Sequence, residues 1–153
     1  QSQNWVDRDV IRMADVNFLG ALRVLGACMP NFVTRDTGHI VIIGSLAGFT
    51  GLQGAIGYGA SKAALMHLSE NISSDFYKMN IKVQLFNPGF VETRLTEKNS
   101  FYMPFKMSSE KAAGIIARGM LTKRRVVNFP WFFSLVFRLG KFLPNKFMIF
   151  GKK

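Results

Sequence analysis

The chain has 153 residues, enough for one domain with a buried core. Apolar residues make up 48% and charged residues 19%, which excludes a disordered chain, and the single cysteine, Cys28, excludes an intrachain disulfide framework. With no group of ligands at metal spacing no metal is expected, and the lone thiol points to a reducing, cytoplasmic setting.

The net charge of +11 is uneven, because Lys123 to Lys153 holds eight Lys or Arg and no acid. Any basic surface is therefore a property of the tail. The polar run through Asp9 lacks the pattern of a secretion signal, and a chain that begins with Gln1 suggests a fragment.

Asp7 to about Phe32 is expected as one long helix with Asp7 as N-cap. Val10, Ile11, Met13, Val16, Leu19, Leu22, Leu25 and Met29 fall on more than one face, so it is expected to be buried on two sides. Asn17 sits in its middle, where position alone suggests a side chain satisfied by a neighbouring carbonyl. Thr34 to Gly38 reads as a turn. Ile40 to Ile43 is a β-branched run of the kind found in strands buried on both faces of a parallel sheet.

Ser45 follows at that strand's carboxyl end, where open α/β sheets place their ligands. A helix from Tyr58 to Met79 carries Leu65, Leu68, Ile72, Phe76 and Met79 as a stripe. His67 lies off the stripe with no second ligand and is expected to be structural or exposed. Ile81 to Leu85 is the next strand, and Asn87 to Thr93 follows it, on its own an ordinary Pro-Gly turn.

Arg94 to Met107 is a loop rich in Phe101, Tyr102, Met103, Phe105 and Met107, too apolar to lie open in water. It is expected to be a lid over a lipophilic pocket or part of an interface. Ser108 can cap a helix through Leu121, Val126-Val127 marks a third strand, and Pro130 stops it. The alternation of strands and helices gives an α/β fold with a parallel sheet.

The division expected is a unit over 1–130 and a basic, aromatic tail over 131–153. Were Trp131 to Leu143 helical, Ser134, Arg138 and Lys141 would form a narrow polar stripe on an apolar cylinder. The uninterrupted apolar run is too short to span a bilayer. Two readings of the tail stay open: peripheral contact with an anionic membrane, or packing on the protein or a dimer partner. Nucleic acid is not expected, because no groove-reading motif is present.

The chemistry concentrates in Gly44 to Lys62. Ser45 precedes Tyr58 by thirteen residues, and Lys62 follows Tyr58 by four, about one helical turn, so phenol and ammonium project from one face. A free phenol ionises near pH 10, and a nearby ammonium offsets much of the cost of ionising it at neutrality, so such a pair suits proton exchange.

Ser45, the glycine-rich run after it and Tyr58-Gly59-Ala60-Ser61-Lys62 resemble the active-site segment of the short-chain dehydrogenase/reductase family, with its Tyr-x-x-x-Lys signature. The resemblance runs from about Asn17 to Val127 and implies the later part of a doubly wound, Rossmann-like parallel sheet, its last three strands with flanking helices. It implies NAD(P)-dependent interconversion of an alcohol and a carbonyl.

In that reading Tyr58 exchanges the proton, and Lys62 tunes the phenol and binds the nicotinamide ribose. Ser45 holds the substrate oxygen, and Asn17 orders a relay water. Pro88 and Gly89 match the family's turn beside the nicotinamide, where the Val91 backbone holds the carboxamide and Thr93 reaches the carboxamide or pyrophosphate. The cofactor implied is NAD or NADP, with NADP favoured. The apolar loop and tail suggest a lipophilic, lipid-like substrate. The family's habit of pairing through the helices before Phe32 and after Tyr58 implies a homodimer or homotetramer.

One departure stands out: the sequence has no glycine-rich strand-to-helix loop to grip a pyrophosphate, and no residue after a second strand to read the ribose. The expectation is weak or no dinucleotide binding by this chain alone. The alternative is a non-catalytic half-domain that associates with a partner or membrane surface through its tail.

Overall fold

The computed structural model describes residues 5–94, 96, 102–140 and 142. The first helix is one rod in three pieces: α1 (Asp7–Ala14), a π-helical turn (Asp15–Leu19) and α2 (Gly20–Arg35). Then come β1 (Gly38–Ile43), a 3-10 turn (Leu46–Gly48), α3 (Ile56–Asp75), β2 (Ile81–Pro88), α4 (Ser109–Met120), β3 (Val126–Phe129) and α5 (Trp131–Gly140).

The three strands form a parallel sheet in the order β1-β2-β3, with Ile40 opposite Val83, Ile42 opposite Leu85, and Leu85 opposite Val126. β2 is central, and Ile81, Val83, Gln84, Leu85, Phe86 and Asn87 are all buried, as covering both faces of a strand requires. On one face Ile40, Ile42, Val83 and Leu85 pack with Leu65, Met66 and Ile72 of α3, and Phe18, Leu25 and Met29 lie against that cluster. On the other, Phe86 and Phe129 pack with Met107 and with Ala112 of α4. Helices on both faces of a parallel sheet make this the doubly wound arrangement that the sequence predicts.

Several boundaries move. The N-cap of α1 is Val6, not Asp7, which lies inside the first turn and accepts from the Trp5 indole. The rod is not buried on two sides: Phe18, Leu25 and Met29 face the core, whereas Ile11, Val16 and Val24 are exposed. Asp7–Arg35 is also long and apolar enough to cross a membrane by length and composition, but its packing on the sheet accounts for the apolar inner face. The rod runs on to Arg35, where the predicted turn should lie, and Asp36 ends it in the left-handed conformation.

The second helix starts two residues earlier than predicted and ends at Asp75, leaving Phe76 and Met79 in the following turn but still against the core. Ser108 caps α4 as expected, accepting from the Lys111 amide at 3.2 Å. β3 extends to Phe129, and a cis peptide joins Phe129 to Pro130. Phe101, Lys141 and 143–153 lie outside the described residues.

Candidate active site

Ser45 stands just past β1, at the carboxyl end of the sheet. It is 6% exposed and caps the short 3-10 turn, its Oγ accepting from the Ala47 amide at 3.2 Å. The hydroxyl's own proton and a second lone pair are not used by that bond, so Ser45 can still engage a substrate oxygen. Tyr58 lies in the first turn of α3 and is 40% exposed.

Lys62, one turn further on, reaches back to β1. Its Nζ donates to the Ile43 carbonyl at 2.9 Å and sits 5.8 Å from the centroid of the Tyr58 ring. Burial holds the Lys62 ammonium below the ordinary lysine range. One cation thus ties the strand end that carries Ser45 to the helix turn that carries Tyr58.

Asn17 occupies the π turn, a helical irregularity common at functional sites. Its Nδ2 donates to Ser61 Oγ at 3.1 Å, and that hydroxyl donates to the Tyr58 carbonyl at 2.8 Å. Asn17 is therefore satisfied by a side chain from the opposite helix, not by a neighbouring carbonyl. The approach depends on Gly57, where a Cβ would stand 3.2 Å from the Val10 Cα in α1. Ser61 is a coupling residue that sequence reasoning passed over. Its signal was present, since a serine three residues after Tyr58 lies on the same helix face.

The Pro-Gly turn leaves the carboxyl end of β2, with Gly89 close to Leu46, the residue after Ser45. Pro88 is the last residue of β2, opposite Phe129, and the Gly89 amide donates to the Phe129 carbonyl at 2.8 Å. Val91 forms a parallel bridge with Met107, so the neighbouring amides and carbonyls are occupied: Glu92 N–H donates to the Met107 carbonyl at 2.8 Å and Met107 N–H to the Phe90 carbonyl at 3.0 Å. Among the described residues the Val91 N–H has no partner. The Thr93 amide donates to Thr96 Oγ1 at 2.9 Å, and Thr96 Oγ1 donates to the Val91 carbonyl at 2.8 Å.

A phenol, an ammonium, a backbone amide and a threonine hydroxyl are groups that could hydrogen-bond a ribose and a carboxamide at the sheet's carboxyl end. The grip on a pyrophosphate is not among these residues.

The apolar wall comes from the loop and α5. Phe133 and Phe137 pack on Leu46, the residue after Ser45, with Phe49, Leu52 and Phe90 against them. The Phe105 ring meets Phe132 at 4.9 Å and Phe133 at 5.2 Å, while Tyr102 is exposed. Of the polar stripe predicted on α5, Arg138 is exposed but Ser134 is buried and donates to the Trp131 carbonyl, because the side that packs on Leu46 turns inward. His67 is exposed, with Glu70 at 3.9 Å.

Comparison with known proteins places these residues in a family context. The sequence model described as short chain dehydrogenase matches residues 1–101. An uncharacterized oxidoreductase of Myxococcus xanthus is 40% identical over 131 residues, covering 86% of this chain and 52% of that protein. Human 17-beta-hydroxysteroid dehydrogenase 13 is 28% identical over 143 residues, covering 92% and 48%. A short-chain dehydrogenase from Sphingobium yanoikuyae, solved in complex with NADPH, superposes with a TM-score of 0.76 at 26% identity, covering 83% of this chain and 51% of that one. The chain spans about half the length of the curated relatives it matches.

Proposed function

Because this chain belongs to the short-chain dehydrogenase/reductase family of oxidoreductases, we propose that it forms the catalytic half of an NAD(P)-dependent enzyme interconverting a lipophilic alcohol and its ketone. The observation that carries the reading is the Lys62 ammonium, held between the Ile43 carbonyl and the Tyr58 ring at the carboxyl end of the sheet.

In the reductive direction Tyr58 gives its phenolic proton to the ketone oxygen, and Ser45 hydrogen-bonds that oxygen and holds it toward the phenol. Lys62 stabilises the phenolate left behind. Asn17, anchored through Ser61, orders a water that returns a proton toward the site. Lys62, the Val91 amide and Thr93 hold the ribose and carboxamide of the cofactor, with Pro88 and Gly89 shaping the turn. When bound, the nicotinamide supplies the hydride that reduces the carbonyl carbon, or accepts it in reverse.

The NADPH in the Sphingobium relative supports NADP as the preferred cofactor. A steroid-directed relative and the Phe90–Phe105–Phe133 wall support a lipophilic substrate. The exposed Ile11, Val16 and Val24 support a homodimer or homotetramer built on the α1–α2 rod and α3.

The test is reduction of a panel of lipophilic ketones by the full-length protein with NADPH and with NADH. Tyr58→Phe is expected to lower kcat by roughly 10²–10⁴-fold with the fold intact. A parent protein that turns over no member of the panel, or a Tyr58→Phe variant of parental activity, defeats the reading. The second reading is a half-domain without catalysis that associates with a partner or membrane surface through its tail. It predicts that neither nucleotide raises the melting temperature of the full-length protein and that no ketone of the panel is turned over.

A further inference from the structure

α5 is apolar on both sides. Its inner side, Phe133 and Phe137, is almost fully buried on Leu46. Its outer side presents Trp131, Phe132, Leu135, Val136 and Leu139 to solvent, with Trp131 70% and Leu139 59% exposed. The spacing i, i+1, i+4, i+5, i+8 makes these five a continuous stripe on one face. A ten-residue helix cannot span a bilayer, yet a contiguous exposed stripe of this kind marks a surface that something covers.

The charge pattern identifies the cover. Arg138 is exposed and stands two turns after Trp131, at the margin of the stripe. From Trp131 to Lys153 the sequence carries five Lys or Arg and no Asp or Glu. A protein partner that met the apolar stripe would also have to bring acid to match that run, whereas an anionic lipid surface supplies both an acyl interior and a dense negative plane. The residues at the start of the stripe, Trp131 and Phe132, have their rings 6.1 Å apart, and Trp is an aromatic enriched at the membrane–water boundary.

We propose that the outer face of α5 docks onto an anionic lipid surface, with the Trp131–Leu139 stripe entering the acyl boundary and Arg138 meeting the headgroups. The helix would then divide a lipid surface on one side from the Leu46–Ser45 corner on the other. A substrate dissolved in the membrane would arrive next to the proposed site. The docking itself does not depend on the proposed chemistry.

The experiment uses this 153-residue chain with Trp5→Phe, which leaves Trp131 as its sole indole, and vesicles of phosphatidylcholine with or without phosphatidylserine. Expected are co-flotation and a blue shift of Trp131 emission with the anionic vesicles, both weakened by added salt. Leu135→Ser combined with Leu139→Ser should lower the partition coefficient at least tenfold. Arg138→Gln should lower it roughly fivefold. Both changes are at exposed positions, so the thermal midpoint should be retained and loss of binding is not loss of fold.

Equal flotation of parent and double variant overturns the proposal, as does binding that ignores phosphatidylserine. A Trp131 emission already blue-shifted without vesicles, in step with concentration-dependent self-association, also overturns it and assigns the stripe to a second copy.

Discussion

Gly44→Ala tests the packing that fixes Ser45. A Cβ built at Gly44 would stand 2.1 Å from Asn87 Oδ1 and 3.1 Å from Leu85 Cδ1, far inside contact distance. Gly44 is not among the residues with a positive φ, so alanine fits its backbone and the cost is steric. Asn87 cannot yield cheaply. It is fully buried, its Nδ2 donates to Asn128 Oδ1 at 2.9 Å, and its Oδ1 faces Gly44 without a hydrogen-bond partner.

Rotating Asn87 away breaks a buried hydrogen bond, at about 1–3 kcal/mol, and pressing a methyl into the packed strand end adds about 1–3 kcal/mol. Gly44→Ala should therefore destabilise by about 2–6 kcal/mol, a large share of the stability of a domain this size. Urea unfolding gives the value, with an unchanged m establishing that only the native state has changed. Asn87→Ala removes the obstacle, so in that background the cost of Gly44→Ala should shrink by about 1–3 kcal/mol in a double-mutant cycle. A cost below about 1 kcal/mol, or one equal in the two backgrounds, refutes the reasoning.

Three further outcomes follow from side chains at the site and in the core. Burial depresses the Lys62 pKa, so at a pH between its folded value and the ordinary 10.5 the unfolded chain binds more protons, and stability rises with pH through that window. Lys62→Met should flatten the rise, seen as a slope of denaturation midpoint against pH that is smaller in the variant than in the parent through that window. Gln84 is fully buried, donates from Nε2 to the carbonyls of Gly119, Thr122 and Arg124, and pairs through Oε1 with His39. Gln84→Leu should cost about 1–3 kcal/mol in chemical denaturation, and an isostable variant would mean those carbonyls find water. Asn17→Ala should cost about 0.5–1.5 kcal/mol and show coupling to Ser61→Ala, since both ends of one 3.1 Å bond are removed. Additive losses would argue that the bond contributes nothing.

The elements were legible where a period or an end signal was strong. Ile40 to Ile43 and Ile81 to Leu85 read as buried strands from their β-branched runs, and both lie inside the observed β1 and β2. Ser108 announced α4, because a serine before a helix has an amide to accept from. The π turn at Asp15–Leu19 was not legible, since its residues suit an ordinary helix and only the i to i+5 bond, Gly20 N–H to the Asp15 carbonyl, distinguishes it. The end of α3 was misjudged because Phe76 and Met79 keep a helical spacing while the chain has already turned.

What the sequence by itself determined was the order of the chemistry: a serine after a strand, a phenol and an amine one turn apart, and a Pro-Gly turn after the next strand. Those are local facts of spacing, and local geometry follows from them. Only the tertiary structure decided which groups meet. Lys62 finds the Ile43 carbonyl because α3 lies against β1, and Asn17 finds Ser61 because Gly57 lets two helices approach. The orphaned oxygen of Asn87 and the inward turn of Ser134 likewise depend on neighbours far away in the chain. Side-chain partners are set by packing between elements, and no periodicity within one element encodes them.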